Sequence, residues 1–296
     1  MSRILKDYGK SIRNRLLNVA KEEKVVYQTI LTRFFQERLL YRISKSQYKE
    51  NFYLKGGALM YAYEQISARP TMDIDFMGKD ISNDGEKIAK TFHEICAIDC
   101  KEDGVTFDLD KITYENITES KDYHGIRLSI PVKMDTITQT MSMDIGFGDV
   151  VTPEAVPLDY PAILENIPTA NILAYSIETV IAEKMHAVID LADQSSRMKD
   201  YYDLYQILSS MPYNSEVLQE AIKHTFTNRH TNYSSDTMFF RNEYPDNVEM
   251  KTRWTAFLKK IAVKKDLQFS EVVKYLQSIL RPYWESLNPM HESVGK

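Results

Sequence analysis

A chain of 296 residues, 43% hydrophobic and 27% charged, can bury one large core or two modest ones and has the composition of an ordinary water-soluble protein. No apolar run approaches the roughly 20 residues that span a bilayer, and the first residues are charged rather than signal-like, so a cytoplasmic protein with no membrane partner is expected. A net charge of −5 argues against a chain coated in nucleic acid, and the only two cysteines, Cys96 and Cys100, lack His or Cys partners at zinc-ligand spacing and read as free structural thiols.

Residues 3–50 read as helix, with Leu16, Val19, Ala20, Val26, Ile30, Phe34 and Leu40 near helical spacing and charges between them, which suggests a packing arm. Phe52-Tyr53-Leu54 forms a short strand, Gly56-Gly57 hands over to a helix at Ala58–Gln65, and Met72-Asp73-Ile74-Asp75-Phe76 alternates apolar and acidic residues. A strand there sends Met72, Ile74 and Phe76 to one face and Asp73 and Asp75 to the other. Two carboxylates on one face repel each other and gain most by sharing a divalent cation, while residues without a Cβ let backbone N–H groups and a helix N-terminus approach a phosphate. Taken singly, Gly-Gly is common in plain turns and Asp-x-Asp on solvated strands; the two in this order, about twenty residues apart, are the layout of nucleotidyl transfer.

Asn83-Asp84 offers a cap for a helix with a stripe of Ile88, Phe92 and Ile95. From Thr106 to Phe147 the period falls to two, in runs at 106–109, 112–114, 127–132 and 140–147, so paired hairpin strands are expected. In the last run Met141, Met143, Ile145 and Phe147 face one way, and Ser142, Asp144 and Gly146 the other. Asp144 is therefore a candidate third metal acid, with Asp149 as its rival and a solvated strand face as the plain alternative. Asp144 is favoured because an apolar face opposes it.

After a connection over Pro153–Pro168 the chain reads as helical to its end. Ser176 caps a helix whose stripe is Ile177, Val180, Ile181, Val188 and Leu191, and Lys184 falls inside that stripe. An inward lysine needs an anion, here a nucleotide phosphate or the aspartate cluster, unless its ammonium snorkels out. On the phosphate reading Lys184→Met keeps or slightly raises stability, because a costly inward charge is gone. His186 reads as a surface or core histidine. Asp200 lies on the stripe of the next helix, as a functional acid or only a cap, and Arg197 and Lys199 can contact phosphate or form a solvated run. The segment 251–265 carries Lys251, Arg253, Lys259, Lys260, Lys264 and Lys265 without an acid around Trp254 and Phe257, which suits a nucleic-acid backbone as well as an ordinary basic face.

Leu54-Lys55-Gly56-Gly57-Ala58-Leu59, followed by Arg69-x-Thr71-x-Asp73-Ile74-Asp75-Phe76, resembles the first motif of the AbiEii family, the nucleotidyltransferase toxins of abortive-infection, type IV toxin–antitoxin systems to which the MenT toxins are related. Glu183-Lys184-Met185-His186-Ala187 resembles the family's lysine motif, and Asp200 leading a helix resembles its last motif. The resemblance implies Mg2+ held by Asp73, Asp75 and Asp144, with Asp144 the base toward the incoming hydroxyl. It implies a nucleoside triphosphate held by Lys55, Gly56, Gly57, Arg69, Thr71, Lys184 and Arg197, and a catalytic part for Lys184 and Asp200. It further implies a separate antitoxin and an RNA acceptor, with tRNA expected from related toxins. Protein or small-molecule nucleotidylation is the enzymatic alternative, and a non-catalytic nucleotide-binding regulator the other.

The expected fold is α+β: a small mixed sheet of nucleotidyltransferase type flanked by helices, with a mainly helical C-terminal half. The expected division is residues 1–165 for the sheet domain with its N-terminal arm, and residues 166–296 for a helical domain that completes the active site.

Overall fold

In the computed structural model, which describes residues 7–120, 123–194, 196–262 and 266–289, the chain opens with two helices instead of one continuous helical stretch. Helix α1 (Tyr8–Glu22) is capped by Asp7, whose carboxylate accepts from the Lys10 N–H at 3.0 Å. Lys24, at φ 55°, breaks the run before α2 (Tyr27–Lys45). Residues 3–6 of the expected helix lie outside the described residues. Far from being an arm, α2 is buried on every side from Ile30 to Leu40. Its charges are answered inside the protein, Arg42 by Asp103 at 2.8 Å, Arg38 by Glu37, and Glu37 by the Ile163 N–H at 2.9 Å.

A mixed sheet follows, built from β1 (Phe52–Lys55), β2 (Asp73–Gly78), β3 (Thr106–Phe107), β4 (Thr113–Ser120), β5 (Tyr123–Met134), β6 (Ile137–Phe147), β7 (Val156–Tyr160) and β8 (Ala170–Ala174). The strand order is β3-β5-β6-β2-β1-β8-β7, with β4 also paired to β5. β2 runs parallel to β6 and β1 parallel to β8, and the other pairs are antiparallel. Helix α3 (Gly56–Glu64) connects β1 to β2, and α4 (Gly85–Cys96) follows with Asp84 as its cap. Ile88, Phe92 and Ile95 are fully buried beneath it, and Cys96 and Cys100 are buried free thiols.

Strands β7 and β8 stand where a connection and then helix were expected. β7 is short, lies at the end of the sheet, carries Pro157 and buries only Tyr160, so its apolar signal is weak. β8 pairs with β1, and the Tyr175 N–H donates to the Leu54 carbonyl at 3.0 Å, which carries the sheet unit past the expected boundary at 165. The described residues up to Gly148 together with Ala155–Tyr175 form this first compact unit. Asp149–Glu154 and the described residues from Ser176 onward form the second.

The second unit is helical: α5 (Ile177–Leu191), α6 (Met198–Ser210), α7 (Ser215–Asn228), α8 (Val248–Lys260) and α9 (Phe269–Glu285). The Ser176 hydroxyl accepts from the Thr179 N–H at 3.2 Å and so caps α5. Tyr201, Phe239, Tyr244, Trp254 and Phe269 form the aromatic core. Trp254 therefore belongs to the interior, its indole N–H donating to the Leu267 carbonyl at 2.7 Å, and it is no stacking platform for a base. The basic stretch is also less free than its composition suggests, since Lys251 pairs with Asp246 at 2.7 Å and Arg253 with Glu249 at 2.5 Å, both acids lying just outside the window read. Lys259 and Lys260 are exposed; Lys264 and Lys265 lie outside the described residues. Among the described residues no helix is long and apolar enough to cross a membrane.

Candidate active site

The alternation in β2 does what its pattern requires: Ile74 and Phe76 are buried, Asp73 is exposed and Asp75 half-buried on the other face. Met72 departs from the expectation, because the strand starts at Asp73 and Met72 lies 59% exposed before it. In β6, Met141, Met143 and Ile145 are buried while Asp144 shares the face of the β2 acids.

Strand register turns these separate residues into one line. Lys55 on β1 is opposite Asp75 on β2, Asp75 is opposite Asp144 on β6, Asp144 is opposite Arg127 on β5, and Arg127 is opposite Glu115 on β4. Paired positions present their side chains on the same face, so five charges of alternating and clustered sign lie in a row across five strands, with Asp73 beside Ser142 one step along. The Lys55 ammonium lies 5.2 Å from the centre of the Tyr175 ring.

Two glycines bring the start of α3 against this row. Gly56 has φ +68°, and a Cβ there would sit 2.0 Å from Asp75 Oδ2. The position thus requires glycine on two separate grounds, its backbone conformation and the approach of the carboxylate. A Cβ on Gly57 would meet Thr71 at 2.8 Å. The Thr71 hydroxyl donates to the Asp73 carbonyl at 3.2 Å, as does the buried Gln36 amide from α2 at 3.2 Å, and Arg33 donates to the Ala68 carbonyl. The loop through the half-buried Arg69 is therefore held from beneath as it delivers Asp73 to the face.

Arg127 was not among the residues the sequence singled out. Its Nε and Nη2 donate to the two oxygens of Asp144, each at 2.7 Å, in a bidentate pair. Those bonds hold the guanidinium pKa above its ordinary value against partial burial, with the charges of Asp144, Asp73 and Glu115 adding to them. Only the register of the β5–β6 hairpin could have pointed to it, because seventeen residues separate it from its partner.

Asp73 and Asp75 are hard oxygen donors on one face and suit a divalent cation of the Mg2+ type. Among the described residues no group of three or more His, Cys, Asp or Glu side chains converges as a ready metal site, and the Asp144 carboxylate is matched to the protein's own cation. Asp149, the rival third acid, belongs to the second unit and accepts from Arg229 at 3.2 Å.

Within the second unit Lys184 is buried, as its place in the stripe implied, but its anions there are protein carboxylates: Asp203 at 2.6 Å and Asp200 at 3.1 Å, both on α6. Asp200 is not a cap; it also accepts from Arg197 Nε at 2.8 Å. Burial raises its pKa, yet Lys184 and Arg197 outweigh burial and bring it down to about 2. His186 is a core histidine beside Phe226, with Nε2 2.8 Å from the Thr231 hydroxyl. Burial pushes it down to about 4, with Arg229 adding to the shift and Asp149 opposing it.

Three solved structures are similar to this chain. A candidate nucleotidyltransferase from H. pylori aligns over 90% of this chain and 99% of its own, at 14% identity and a TM-score of 0.50. The protein JHP933 from Helicobacter pylori covers 87% of this chain and 92% of its own, at 15% identity and a TM-score of 0.46. An antigenic nucleotidyltransferase-like protein from Paracoccidioides brasiliensis covers 65% and 88%, at 13% identity and 0.38. At such identities the first of these speaks for the fold alone, and the other two are noted only as similar. The comparison with curated proteins gives no match. The family described as nucleotidyl transferase AbiEii toxin, type IV TA system, matches residues 38–279, which takes in both β2 acids, Asp144, Lys184 and Asp200, and the chain belongs to that family of nucleotidyltransferase toxins.

Proposed function

We propose that this enzyme uses Mg2+ to transfer a nucleotide from a nucleoside triphosphate to a hydroxyl of an RNA acceptor, with tRNA the expected acceptor, and that a separate antitoxin restrains it. The single observation that supports this reading best is the row of Lys55, Asp75 and Asp144 in direct register beside the glycine-led start of α3. A carboxylate pair for the metal and a Cβ-free helix start for phosphate stand on one sheet face.

In this reading the acceptor oxygen bonds to the α-phosphorus as the bond to the pyrophosphate oxygen breaks. Asp73 and Asp75 hold Mg2+, which when bound offsets the charge that develops on the phosphates. Asp144 takes the hydroxyl proton. Gly56 and Gly57 let the start of α3 pack against Asp75 and Thr71, so that its N–H groups meet the triphosphate beside the acids, and Lys55, Arg69 and Thr71 orient it. By the family resemblance Lys184 and Arg197 are assigned to nucleotide binding, with Asp200 holding both cations in place. The exposed Lys259 and Lys260 are the part of the basic stretch best suited to an RNA backbone.

The test is incubation of the protein with each labelled nucleoside triphosphate, Mg2+ and total RNA or lysate. Label in RNA, lost on Asp75→Asn at an unchanged melting temperature, is the expected outcome. Label in protein or a small molecule overturns the acceptor, and full activity of well-folded Asp75→Asn overturns the metal site. Removing one of two like charges relieves repulsion in the metal-free chain, so the variant is expected to fold.

A further inference from the structure

We infer that Arg127 is a positioning residue that holds Asp144 as an internal counter-cation, and that a divalent cation arriving at the Asp73 and Asp75 face competes with the Arg127 guanidinium for that carboxylate. The inference rests on the metal reading above and adds to it a gate on the third acid.

Three observations carry it. Asp75 and Asp144 are direct neighbours across a parallel strand pair, a placement in which two carboxylates repel each other unless a cation intervenes. Arg127 supplies that cation with both donors of one fork at 2.7 Å, so neither Asp144 oxygen is left without a positive partner. The guanidinium also has somewhere to go. Its side chain is 39% exposed, and on its other side, in register, Glu115 Oε1 stands 3.7 Å from Arg127 Nη1 on a side chain that is 64% exposed. Arg127 can thus release Asp144 and remain paired, exchanging one carboxylate for another along the same row. Such an exchange keeps the third acid paired while the face is metal-free and ties its freedom to the arrival of the metal. Coupling of this kind is reciprocal: whatever holds Asp144 against the metal weakens the metal by the same factor.

The test titrates the full chain with Mn2+ alone, read by electron paramagnetic resonance, for wild type, Arg127→Met and Arg127→Lys. Loss of a charge-assisted bidentate pair is expected to raise Mn2+ affinity on the order of tenfold in Arg127→Met. Arg127→Lys keeps the charge but covers only one oxygen at a time, and a gain of a few-fold is expected. The metal-free melting temperature of Arg127→Met should fall, and Mn2+ should restore it. Equal affinity in wild type and Arg127→Met removes the competition while leaving the metal site standing. A gain in Arg127→Met with none in Arg127→Lys reduces Arg127 to a distant field and also overturns the inference. If neither wild type nor variant binds Mn2+, the metal reading itself falls, and this inference with it. Should Arg127→Met not fold, wild type alone decides: the Arg127 Nε–H, followed by 15N NMR, should lose its protection from exchange when diamagnetic Mg2+ is added, and unchanged protection defeats the inference.

Discussion

Gly56 shows how much of a site can rest on the absence of one carbon. Its φ of +68° is costly for any residue with a Cβ, and the same Cβ would lie 2.0 Å from a carboxylate oxygen of Asp75. Gly148 separates the two effects, since it has φ +88° and nothing within 4 Å of the added carbon. Gly148→Ala should therefore cost only the backbone term, about 1 kcal/mol. Gly56→Ala should cost that and also force Asp75 off its position, with transfer falling by about 100-fold, as a displacement near 1 Å can cause. Melting temperatures and transfer rates of the two variants make the comparison. Equal rates in both would mean that Asp75 tolerates displacement and that the close approach has no catalytic consequence. The sequence shows the glycine pair and the acids, because both are local signals. It does not show that one touches the other, because that contact depends on the register of β1 against β2.

The helices of the second unit illustrate both what a periodic pattern reveals and where it stops. The inward position of Lys184 was legible from its place among Val180, Ile181 and Val188, and the structure buries it. Its partners were not, because Asp200 and Asp203 lie sixteen and nineteen residues away on another helix, and helical spacing says nothing about which faces meet. The partners reverse the expected stability effect. An unpaired inward ammonium is a cost whose removal helps, whereas removing one member of a buried ion network leaves the others uncompensated, at about 3–5 kcal/mol. Lys184→Met is therefore expected to lower the melting temperature markedly, and a protein as stable as wild type would show that the two acids find other cations. The same limit explains α2, where charges spaced along a helix read as a packing arm although Arg38, Glu37 and Arg42 are answered internally by residues distant in sequence. β7 escaped notice because it buries only Tyr160, and β8 because two of its three buried residues are alanines, Ala170 and Ala174, whose small side chains give a weak apolar signal beside Ile172.

Across the chain, acid is the condition that should separate stabilising from destabilising ionisations, and the second unit holds two groups that respond with the same sign. His186 titrates near 6.5 when unfolded and at about 4 when folded, so the folded chain resists its protonation. Its contribution is fully present above pH 6.5 and is lost as the pH falls toward 4, a change on the order of 3 kcal/mol for a shift of this size. Asp200, brought from 3.8 to about 2, contributes stability above pH 3.8 that is lost only as the pH approaches 2. The two windows do not overlap, so of these two groups only the histidine contributes to the slope between pH 6.5 and 4. Glu37 in the first unit works the other way, since burial raises its pKa despite Arg38 and its contribution weakens as the pH rises through its titration. Unfolding followed by circular dichroism from pH 7 to 4 should thus show falling stability in wild type. In His186→Gln, which keeps an amide within reach of the Thr231 hydroxyl but cannot take up the proton, that slope should flatten while stability at pH 7 stays within about 1–2 kcal/mol of wild type. An unchanged slope in His186→Gln would assign the acid response to other groups and return His186 to a purely packing role against Phe226.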